Sequence, residues 1–377
     1  MDTDVLILGA GPAGYNAAKA AGKRKAGVIL AGAEPYLPYW RPRLPEIVST
    51  GAEIGSIRMS EEAWFRDNGI QCRTSKQAVS IDPGGKTVRW ADGTATEYGA
   101  LILSCGASPT APPLPFADQV YTLRTYQDAM EIHRVCAERK KAFIVGGGVL
   151  GLEAAFALTK LGCHVSVSVN SYLLSRQLDS QGGDFLQALL EKTGVHICIG
   201  SPADFPEETE GACVIAATGV RPSLSLAQSC GIAANRGILV DEKMRTNVPG
   251  IYACGDVAEF SGAVPGLIAI AAKQGETAGI NAAGGDAVYQ TIVPSPLLKV
   301  VGISVLSVGS MQLSETARIY RRISGAAYSA AVVTDGRLTG AAFIGDTARG
   351  SRFKACIESG RELGAVSSFE ALDALIG

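Results

Sequence analysis

The same glycine pattern occurs twice in the chain, each time directly after a short apolar stretch that predicts a β-strand. The first copy lies in residues 5–22 (VLILGAGPAGYNAAKAAG), the second in residues 143–162 (FIVGGGVLGLEAAFALTKLG). The G-x-G-x-x-G glycines are Gly9, Gly11 and Gly14, then Gly146, Gly148 and Gly151. At this spacing the first two glycines let the turn approach a pyrophosphate, and the third lets the following helix pack on its strand. The repeat therefore predicts two dinucleotide sites, an arrangement typical of hydride transfer from one dinucleotide to the other.

The composition favours a doubly wound α/β protein. The 377 residues include 45 glycines, only 19% are charged and the net charge is −2. Low charge and many glycines suit buried parallel strands joined by tight turns, and the balanced charge argues against nucleic acid or an anionic membrane as partner. No apolar run approaches the roughly 20 residues of a membrane helix, and the acidic start MDTD does not resemble a signal peptide. We therefore expect a cytoplasmic protein.

The nine cysteines carry no metal or redox spacing. No C-x-x-C or C-x-x-x-x-C occurs, so the sequence predicts no metal centre and no local redox disulfide. Most of the cysteines lie in apolar stretches, where a small buried side chain is the ordinary role. The three histidines are scattered, without the spacing of a triad or a ligand set. A flavin in such a chain would have to pass its electrons to an external acceptor.

The order of the predicted elements indicates an internal duplication. Each glycine unit ends in a buried strand followed by a glycine and a proline, SCGASP at 104–109 and ATGVRP at 217–222. A proline-rich stretch, residues 110–115, predicts a linker between the two units. The other predicted elements are a strand at 28–32, a hairpin from 79–81 and 87–90, strands at 164–169 and within 250–260, and a helix over about 266–281. From residue 294 short alternating segments predict a small antiparallel sheet closed by a helix near 351–363.

With these motifs the chain resembles the pyridine-nucleotide-dependent FAD reductases of the two-dinucleotide-domain fold, and within them the NADH:rubredoxin oxidoreductases. The specific stretches are PYLPYWRPRL (35–44), RQLDSQGG (176–183), RGILVDEKMRTNVPGIYACGDVAEF (236–260) and PSPLLKVVGIS (294–304). The predicted fold is therefore α/β, with two Rossmann-like dinucleotide-binding domains, for FAD and NAD(P)H, and a small α+β C-terminal domain. The expected bounds are 1–109 with 234–292 for FAD, 110–233 for NAD(P)H and 293–377 for the C-terminal domain.

The first fingerprint would bind the FAD pyrophosphate. Glu34 follows the second strand and could accept from the ribose 2′-hydroxyl, although in the wider family the acidic residue often stands one position earlier, here Ala33. The resemblance places Arg41 and Pro42 in the flavin pocket, with an exposed loop arginine as the alternative, and places Asp256 on a ribityl hydroxyl. The helix after Asp256 could stabilise negative charge on the reduced flavin. The remaining expected contacts of this site are Pro12, Ala13, Cys105, Gly106, Gly255, Gly266 and Leu267.

The second fingerprint would bind NADH or NADPH beside the flavin, with Val149, Leu150 and Gly219 as further contacts. Glu153, two positions after the third glycine, is either a favourable charge in the first helical turn or, by resemblance, a group beside the nicotinamide. Relatives often pair this glutamate with a lysine, whereas this chain has Glu46 at the nearest position. Ser168 is assigned to the position that distinguishes the coenzymes, where a carboxylate would indicate NADH and an arginine NADPH. Ser168 gives neither signal. A second site that no longer binds nicotinamide is therefore the alternative.

The resemblance implies an FAD-dependent NADH oxidoreductase that reduces a small electron carrier, rubredoxin. Because such carriers are usually acidic, Arg318, Arg321 and Arg322 form a candidate basic docking rim, with a solvated strand face as the alternative. A second hypothesis is a peroxide-forming NADH oxidase; a water-forming one is disfavoured because residues 35–50 contain no cysteine. A third is a flavin-containing interaction protein whose redox state changes its partners. A siroheme nitrite reductase subunit fits less well, because such a centre needs clustered cysteines.

Overall fold

The computed structural model describes residues 1–114, 119–264, 266–300, 302–364 and 366–377. The strands are β1 (Thr3–Leu8), β2 (Val28–Ala31), β3 (Ile70–Arg73), β4 (Ala78–Asp82), β5 (Thr87–Trp90), β6 (Ala95–Leu103), β7 (Ala107–Pro109), β8 (Val120–Thr122), β9 (Lys141–Val145), β10 (His164–Val169), β11 (Val195–Ile199), β12 (Cys213–Ala216), β13 (Val220–Pro222), β14 (Ile238–Leu239), β15 (Ile251–Ala253), β16 (Ala258–Glu259), β17 (Leu297–Val300), β18 (Ile303–Gly309), β19 (Arg318–Ser324), β20 (Ala327–Thr334) and β21 (Arg337–Ile344). The helices are α1 (Pro12–Lys23), α2 (Leu44–Thr50), α3 (Glu62–Asp67), α4 (Tyr126–Arg139), α5 (Val149–Lys160), α6 (Ser180–Glu191), α7 (Pro206–Thr209), α8 (Ser225–Gln228), α9 (Ile268–Ala282), α10 (Gly350–Ser359) and α11 (Phe369–Ile376).

The chain forms two compact units, each assembled from separate stretches. Unit 1 comprises Met1–Arg43, Ala52–Ser108 and Val220–Ile292. Unit 2 comprises Leu44–Gly51, Pro109–Gly219 and Val293–Gly377. The C-terminal sheet thus belongs to the same compact unit as the second fingerprint. The three-domain bounds expected from the sequence remain a prediction.

Unit 1 is built on a seven-stranded sheet in the order β3-β2-β1-β6-β5-β4, with β15 also pairing with β6. The ladders among β3, β2, β1, β6 and β15 are parallel, and β4, β5 and β6 pair antiparallel. The strand β1 is an almost uninterrupted apolar run, and its residues from Val5 to Leu8 are at most 3% exposed. Such a run is typical of a strand covered on both faces. The predicted strand at 28–32 and the predicted hairpin are confirmed as β2 and as β4 with β5.

Helix α9 lies against α1 with almost no side chain between the two backbones. A Cβ added to Gly275 would lie 2.2 Å from the carbonyl oxygen of Ala13, and one added to Gly279 would lie 2.2 Å from that of Ala17. The two glycines, one helical turn apart, form a flat strip on α9. The predicted helix over about 266–281 is confirmed, and this strip fixes its distance from the first fingerprint helix.

Unit 2 contains a second parallel sheet in the order β11-β10-β9-β12-β8. Helix α4 begins with a capping box, in which the Thr125 hydroxyl accepts from the Asp128 amide and the Asp128 carboxylate accepts from the Thr125 amide. The predicted strand at 164–169 coincides with β10. The predicted linker shows no regular structure over 110–114, and its last residue, Pro115, lies outside the described residues.

The C-terminal part is a five-stranded antiparallel sheet in the order β17-β18-β21-β20-β19, which confirms the predicted change of architecture. Helices α10 and α11 cover it, with Phe353 and Phe369 stacked at 5.7 Å between ring centroids. The closing helix ends at Ser359, four residues before the predicted end, because Gly360 takes a left-handed conformation (φ +59°) and ends the helix. Val301, within the quoted PSPLLKVVGIS stretch, is outside the described residues.

The two resembling strand ends behave alike. Gly106 and Gly219 both have positive φ, +69° and +110°. The Gly106 carbonyl accepts from the Ser223 amide at 3.0 Å, and the Gly219 carbonyl accepts from the Thr110 amide at 2.9 Å. The strands that follow them, β7 and β13, pair with each other. This geometry agrees with the duplication expected from the sequence.

Within the described ranges, no helix combines the length and the apolar character needed to cross a membrane.

The glycine strip on α9 gives a test of the fold. We expect Gly275→Ala to lower the free energy of unfolding by about 1–3 kcal/mol, because the new methyl group meets a backbone carbonyl that cannot swing aside. Urea unfolding of Gly55→Ala is the matched control, since a Cβ at Gly55 meets nothing within 4 Å. Equal unfolding midpoints for the two variants would contradict the close contact between α1 and α9.

Candidate functional site

The first fingerprint turn connects β1 to α1 in unit 1. Gly9 has a φ of +112°, and a Cβ there would lie 2.2 Å from the Ser104 carbonyl oxygen. A Cβ on Gly14 would lie 1.9 Å from the Gly9 carbonyl oxygen. The Ser104 hydroxyl, which the sequence analysis did not single out, donates to this turn at Gly9 O (2.9 Å). The local packing therefore demands glycine at positions 9 and 14 whether or not a ligand is present.

Gly11 is different. Its φ of −80° suits any residue, and a Cβ there would meet only Arg41 Nε, at 3.9 Å. Gly11 is also the N-cap of α1, where no side chain satisfies the amides of the first turn. Those amides carry the partial positive end of the helix dipole and bind phosphate readily. Neither the backbone nor the packing requires this glycine, but a pyrophosphate seated on the first turn would. We call the turn from Gly9 to Gly14, with the first turn of α1, the first cradle; its shape fits a dinucleotide.

Arg41 and Glu34 lie together at this turn. Arg41 Nη2 contacts Glu34 Oε1 at 2.6 Å, and the Tyr39 hydroxyl donates to Glu34 Oε2 at 2.6 Å. The guanidinium of Arg41 also lies over the Tyr39 ring, 4.9 Å from its centre. Both charged side chains keep a quarter of their surface exposed, so each can take a further partner. Tyr39, absent from the sequence-based site, is the group that holds this pair; it stands in the PYLPYWRPRL stretch.

A short 3-10 turn, Gly255–Val257, carries Asp256 to the same helix. Gly255 has a φ of +75°, and a Cβ there would lie 2.7 Å from the Ala13 methyl group. The Gly255 amide donates to Gln274 Oε1 of α9 at 2.9 Å, so α9 fixes this turn. Asp256 is half-buried. The structure thus brings the Asp256 turn to the beginning of α1.

The other predicted contacts of unit 1 take these places. Pro12 and Ala13 are the first residues of α1, and Pro42 lies exposed in the 3-10 turn Arg41–Arg43. Cys105 follows β6, and burial raises the pKa of its thiol to about 11. Gly266 has a φ of +59°, and Leu267 is the N-cap of α9, without a side-chain cap. The first turn of α9 therefore offers amides much as α1 does.

The second fingerprint repeats the first in unit 2. Gly146 has a φ of +116°, and its Cβ would lie 2.5 Å from the Ala217 carbonyl oxygen. A Cβ on Gly151 would lie 2.0 Å from the Gly146 carbonyl oxygen. Gly148, the N-cap of α5, has a φ of −81° and open space around its Cβ position to 4 Å. Val149 and Leu150 lie in the first turn of α5, and their contact with a coenzyme stays a prediction.

The structure corrects the role given to Ser168. The Gly9 amide donates to Ala31 O in the first unit and the Gly146 amide to Ser168 O in the second, so Ala31 and Ser168 are equivalent. Ser168 lies inside β10, is 2% exposed and donates to Gly200 O at 3.3 Å. Its hydroxyl is thus buried against the residue that follows β11. Counting from this register, the position equivalent to Glu34 is Ser171.

The outer rim of the second cradle consequently carries Asn170 and Ser171, both exposed. Neither is a carboxylate or an arginine. The assignment of Ser168 to the coenzyme-distinguishing position is therefore wrong, and Ser171 stands at that position instead. The sequence does not show which residue of β10 bonds to the fingerprint turn, and this hydrogen bond defines the equivalent positions of the two units.

Glu153 is half-buried and lies in the second turn of α5, so the alternative of a favourable charge in the first helical turn is wrong. No hydrogen bond or ion pair to its side chain is found in the part of the chain that the structure describes. Burial raises the pKa of its carboxyl group from 4.5 to about 7. A carboxyl group with a pKa near neutrality is ready to exchange a proton at physiological pH.

The candidate basic rim on β19 is not a set of free cations. Arg321 Nε contacts Asp179 Oδ2 at 2.6 Å, and Arg322 Nε lies 3.6 Å from Glu370 Oε1. Arg318 is exposed. Two of the three arginines thus have acidic partners within the chain, and the docking rim on β19 stays a prediction.

All nine cysteines are free thiols, and the described residues contain no cluster of His, Cys, Asp and Glu that could hold a metal ion.

The raised pKa of Glu153 predicts a pH-dependent stability in the coenzyme-free protein. The folded state favours the neutral acid, so the contribution of Glu153 to stability falls as the pH rises from about 4.5 through about 7. We expect Glu153→Gln to be more stable than wild type by roughly 2–3 kcal/mol at pH 8, and about equally stable at pH 4.5. Thermal melts across this range measure the difference, with exposed Glu53→Gln as control. A difference that does not grow with pH would argue against a buried carboxyl group.

Comparison with known proteins gives a consistent result. The sequence profile of the pyridine nucleotide-disulphide oxidoreductases matches residues 3–275, and that of the rubredoxin NAD+ reductase C-terminal domain matches residues 294–361. The chain is 41% identical over 372 residues to the NADH-rubredoxin oxidoreductase of Clostridium acetobutylicum, covering 98% of both chains. The crystal structure of NADH:rubredoxin oxidoreductase from that organism matches with a TM-score of 0.92 over 98% of each chain.

A second relative is a nitrite reductase [NAD(P)H] of Bacillus subtilis, 31% identical over 98% of this chain but only 49% of the relative's length. The chain thus corresponds to about half of that larger protein. Both fingerprints, both cradles and the C-terminal sheet lie within the matched ranges. The chain belongs to the pyridine nucleotide-disulphide oxidoreductase family.

Proposed function

We propose that this protein is an FAD-dependent NADH oxidoreductase that passes electrons to rubredoxin. The observation that carries the proposal is the pair of equivalent cradles, in which Gly11 and Gly148 are glycine although neither the backbone nor the packing asks for it. Two dinucleotides are thereby accommodated in one chain. The acceptor is supported by the C-terminal match over residues 294–361 and by the 41% identical NADH-rubredoxin oxidoreductase.

In unit 1, the first turn of α1 would bind the FAD pyrophosphate through its free amides, with Arg41 beside it. Glu34, held by Tyr39, would accept from the adenosine ribose, and Asp256 would accept from a ribityl hydroxyl. The uncapped first turn of α9, from Leu267 onward, would stabilise negative charge at the flavin's pyrimidine edge. The chemistry that FAD supplies when bound is the conversion of a two-electron hydride from nicotinamide into single electrons for the acceptor.

In unit 2, the first turn of α5 would bind the coenzyme pyrophosphate. Asn170 and Ser171 offer hydrogen bonds to a ribose hydroxyl and no cation dedicated to a 2′-phosphate, which favours NADH. Glu153, five residues after the N-cap of α5, would lie near the nicotinamide and hold a proton near neutral pH. Its neutral form spares the site an unpaired charge.

The proposal includes a cytoplasmic location. Its support is the nine cysteines, none of which forms a disulfide, as is usual where thiols are kept reduced.

The direct test is an anaerobic titration of the purified yellow protein with NADH and then NADPH, followed by oxidised rubredoxin. We expect NADH to bleach the flavin absorbance stoichiometrically and rubredoxin to restore it in many rapid turnovers. If oxygen reoxidises the flavin to give peroxide, and added rubredoxin does not lower the rate of peroxide production, the oxidase is favoured. Slow turnover with a long-lived reduced complex would favour the interaction protein, and a flavin that stays oxidised with both coenzymes would refute the proposal.

The matched glycines separate binding from folding. We expect Gly148→Ala to fold with normal flavin content and melting temperature but to weaken NADH binding at least about tenfold, because its methyl group takes the space of a phosphate. We expect Gly146→Ala to be destabilised, since its Cβ would lie 2.5 Å from a carbonyl oxygen at a φ of +116°. Calorimetric NADH binding and thermal melts distinguish the two. Unchanged binding in Gly148→Ala would mean that the second cradle does not bind a pyrophosphate.

A further inference from the structure

We propose that Asp179, with Arg321 and Tyr328 of the C-terminal sheet, positions the coenzyme loop, residues 170–178, for NADH binding. The inference rests on the proposed function, because it assigns the second cradle to NADH. The C-terminal sheet would then help to bind the electron donor NADH, in addition to any role in binding the electron acceptor.

Asp179 stands at the N-cap of α6, where an aspartate normally accepts from the helix's own amides. Here its side chain makes no such bond. Both carboxylate oxygens accept from the Tyr328 hydroxyl, at 2.7 and 2.9 Å, and Arg321 Nε donates to Oδ2 at 2.6 Å. The Asp179 side chain is 5% exposed. The carboxylate is therefore directed away from its local partner toward residues about 140–150 positions later in the chain.

The hydrogen bond from Tyr328 to Asp179 is expected to persist throughout the physiological pH range. Burial and the neighbouring Asp179 raise the pKa of Tyr328, so its hydroxyl remains a donor at any physiological pH. Its ring is 0% exposed and packs against Phe185 of α6, 5.7 Å between centroids. Removing one partner would leave a buried charge without compensation, which is far more costly than the pair is favourable.

The two glycines that follow Asp179 connect this bond to the coenzyme loop. A Cβ on Gly182 would lie 2.9 Å from the Tyr328 ring, and a Cβ on Gly183 would lie 2.7 Å from the Tyr172 ring. One glycine thus admits a side chain of the C-terminal sheet, and its neighbour admits a side chain of the loop. This explains the D-S-Q-G-G part of the RQLDSQGG stretch.

The loop itself is held against the second cradle. Leu174 is fully buried with a φ of +51°, a conformation unfavourable for a branched side chain. Its amide donates to Gly147 O at 2.9 Å, and a Cβ on Gly147 would lie 2.7 Å from Leu173 Cδ2. The rim residues Asn170 and Ser171 lie at one end of this loop and Asp179 follows the other. A strained loop keeps its shape only when both ends are fixed, and the Asp179 bond fixes one of them.

The test compares wild type with Asp179→Asn, Arg321→Gln and Tyr328→Phe, each loaded with FAD. Anaerobic stopped-flow flavin reduction gives the half-saturating NADH concentration and the limiting rate. We expect Asp179→Asn to raise the former roughly fivefold to tenfold and to change the limiting rate less than about twofold, since only coenzyme positioning is affected. Arg322→Gln, on the same strand but paired with the exposed Glu370, is the control and should match wild type.

A second readout does not depend on turnover. Arg176 is exposed within the coenzyme loop, so trypsin can cut there when the loop opens. We expect faster cleavage after Arg176 in Asp179→Asn than in wild type, and protection by NAD+ in both. If Asp179→Asn does not fold, the same measurements on Tyr328→Phe and Arg321→Gln test the inference, because each of these variants removes only one of the two partners of Asp179.

Wild-type NADH affinity and cleavage rate in all variants that fold would overturn the inference, even if their melting temperatures fall. A rise in the half-saturating NADH concentration in the folded variants would support it. A wild-type flavin that NADH does not reduce would refute the proposed function itself, and the inference with it.

Discussion

The close approach of a helix N-terminus to the end of a parallel strand, made twice, is the constraint on which the rest of the structure depends. At each turn a Cβ on two of the glycines would lie within 2.5 Å of a carbonyl oxygen, whereas a Cβ on the glycine between them would meet no atom closer than 3.9 Å. The first requirement is one of packing and the second is one of ligand access. Because the two requirements fall on different glycines, the same motif builds the fold and leaves space on its surface that a phosphate could occupy.

Each cradle is stabilised by elements far away in sequence. In unit 1, α9 presses Gly275 and Gly279 against α1, and its Gln274 holds the turn that carries Asp256. In unit 2, the corresponding support comes from the loop after β10 and, through Asp179, from the C-terminal sheet. The duplicated halves have thus kept the same turn and acquired different supports. The second support brings the C-terminal sheet into the unit that would bind NADH.

The acidic side chains near the two cradles differ in whether they have a partner that compensates their charge. Glu34 and Asp179 are compensated by an arginine and a tyrosine each. Glu153 is half-buried without a partner among the described residues, and this partial burial raises the pKa of its carboxyl group. A protonated Glu153 adds no negative charge to a site that takes up a hydride donor. Arg321, one of the three arginines of the candidate basic rim on β19, is already paired with the buried Asp179 carboxylate.

The sequence by itself determined the fold class, the places of the parallel strands and the two cradles, because glycine spacing and apolar runs act over a few residues. It also located the hairpin, α9 and the C-terminal antiparallel sheet. Only the tertiary structure decided that Ser168 faces inward, that Tyr39 holds Glu34 and that Arg321 and Tyr328 bind Asp179. These facts depend on register between strands and on contacts between residues up to 149 positions apart, which no local pattern in the sequence encodes.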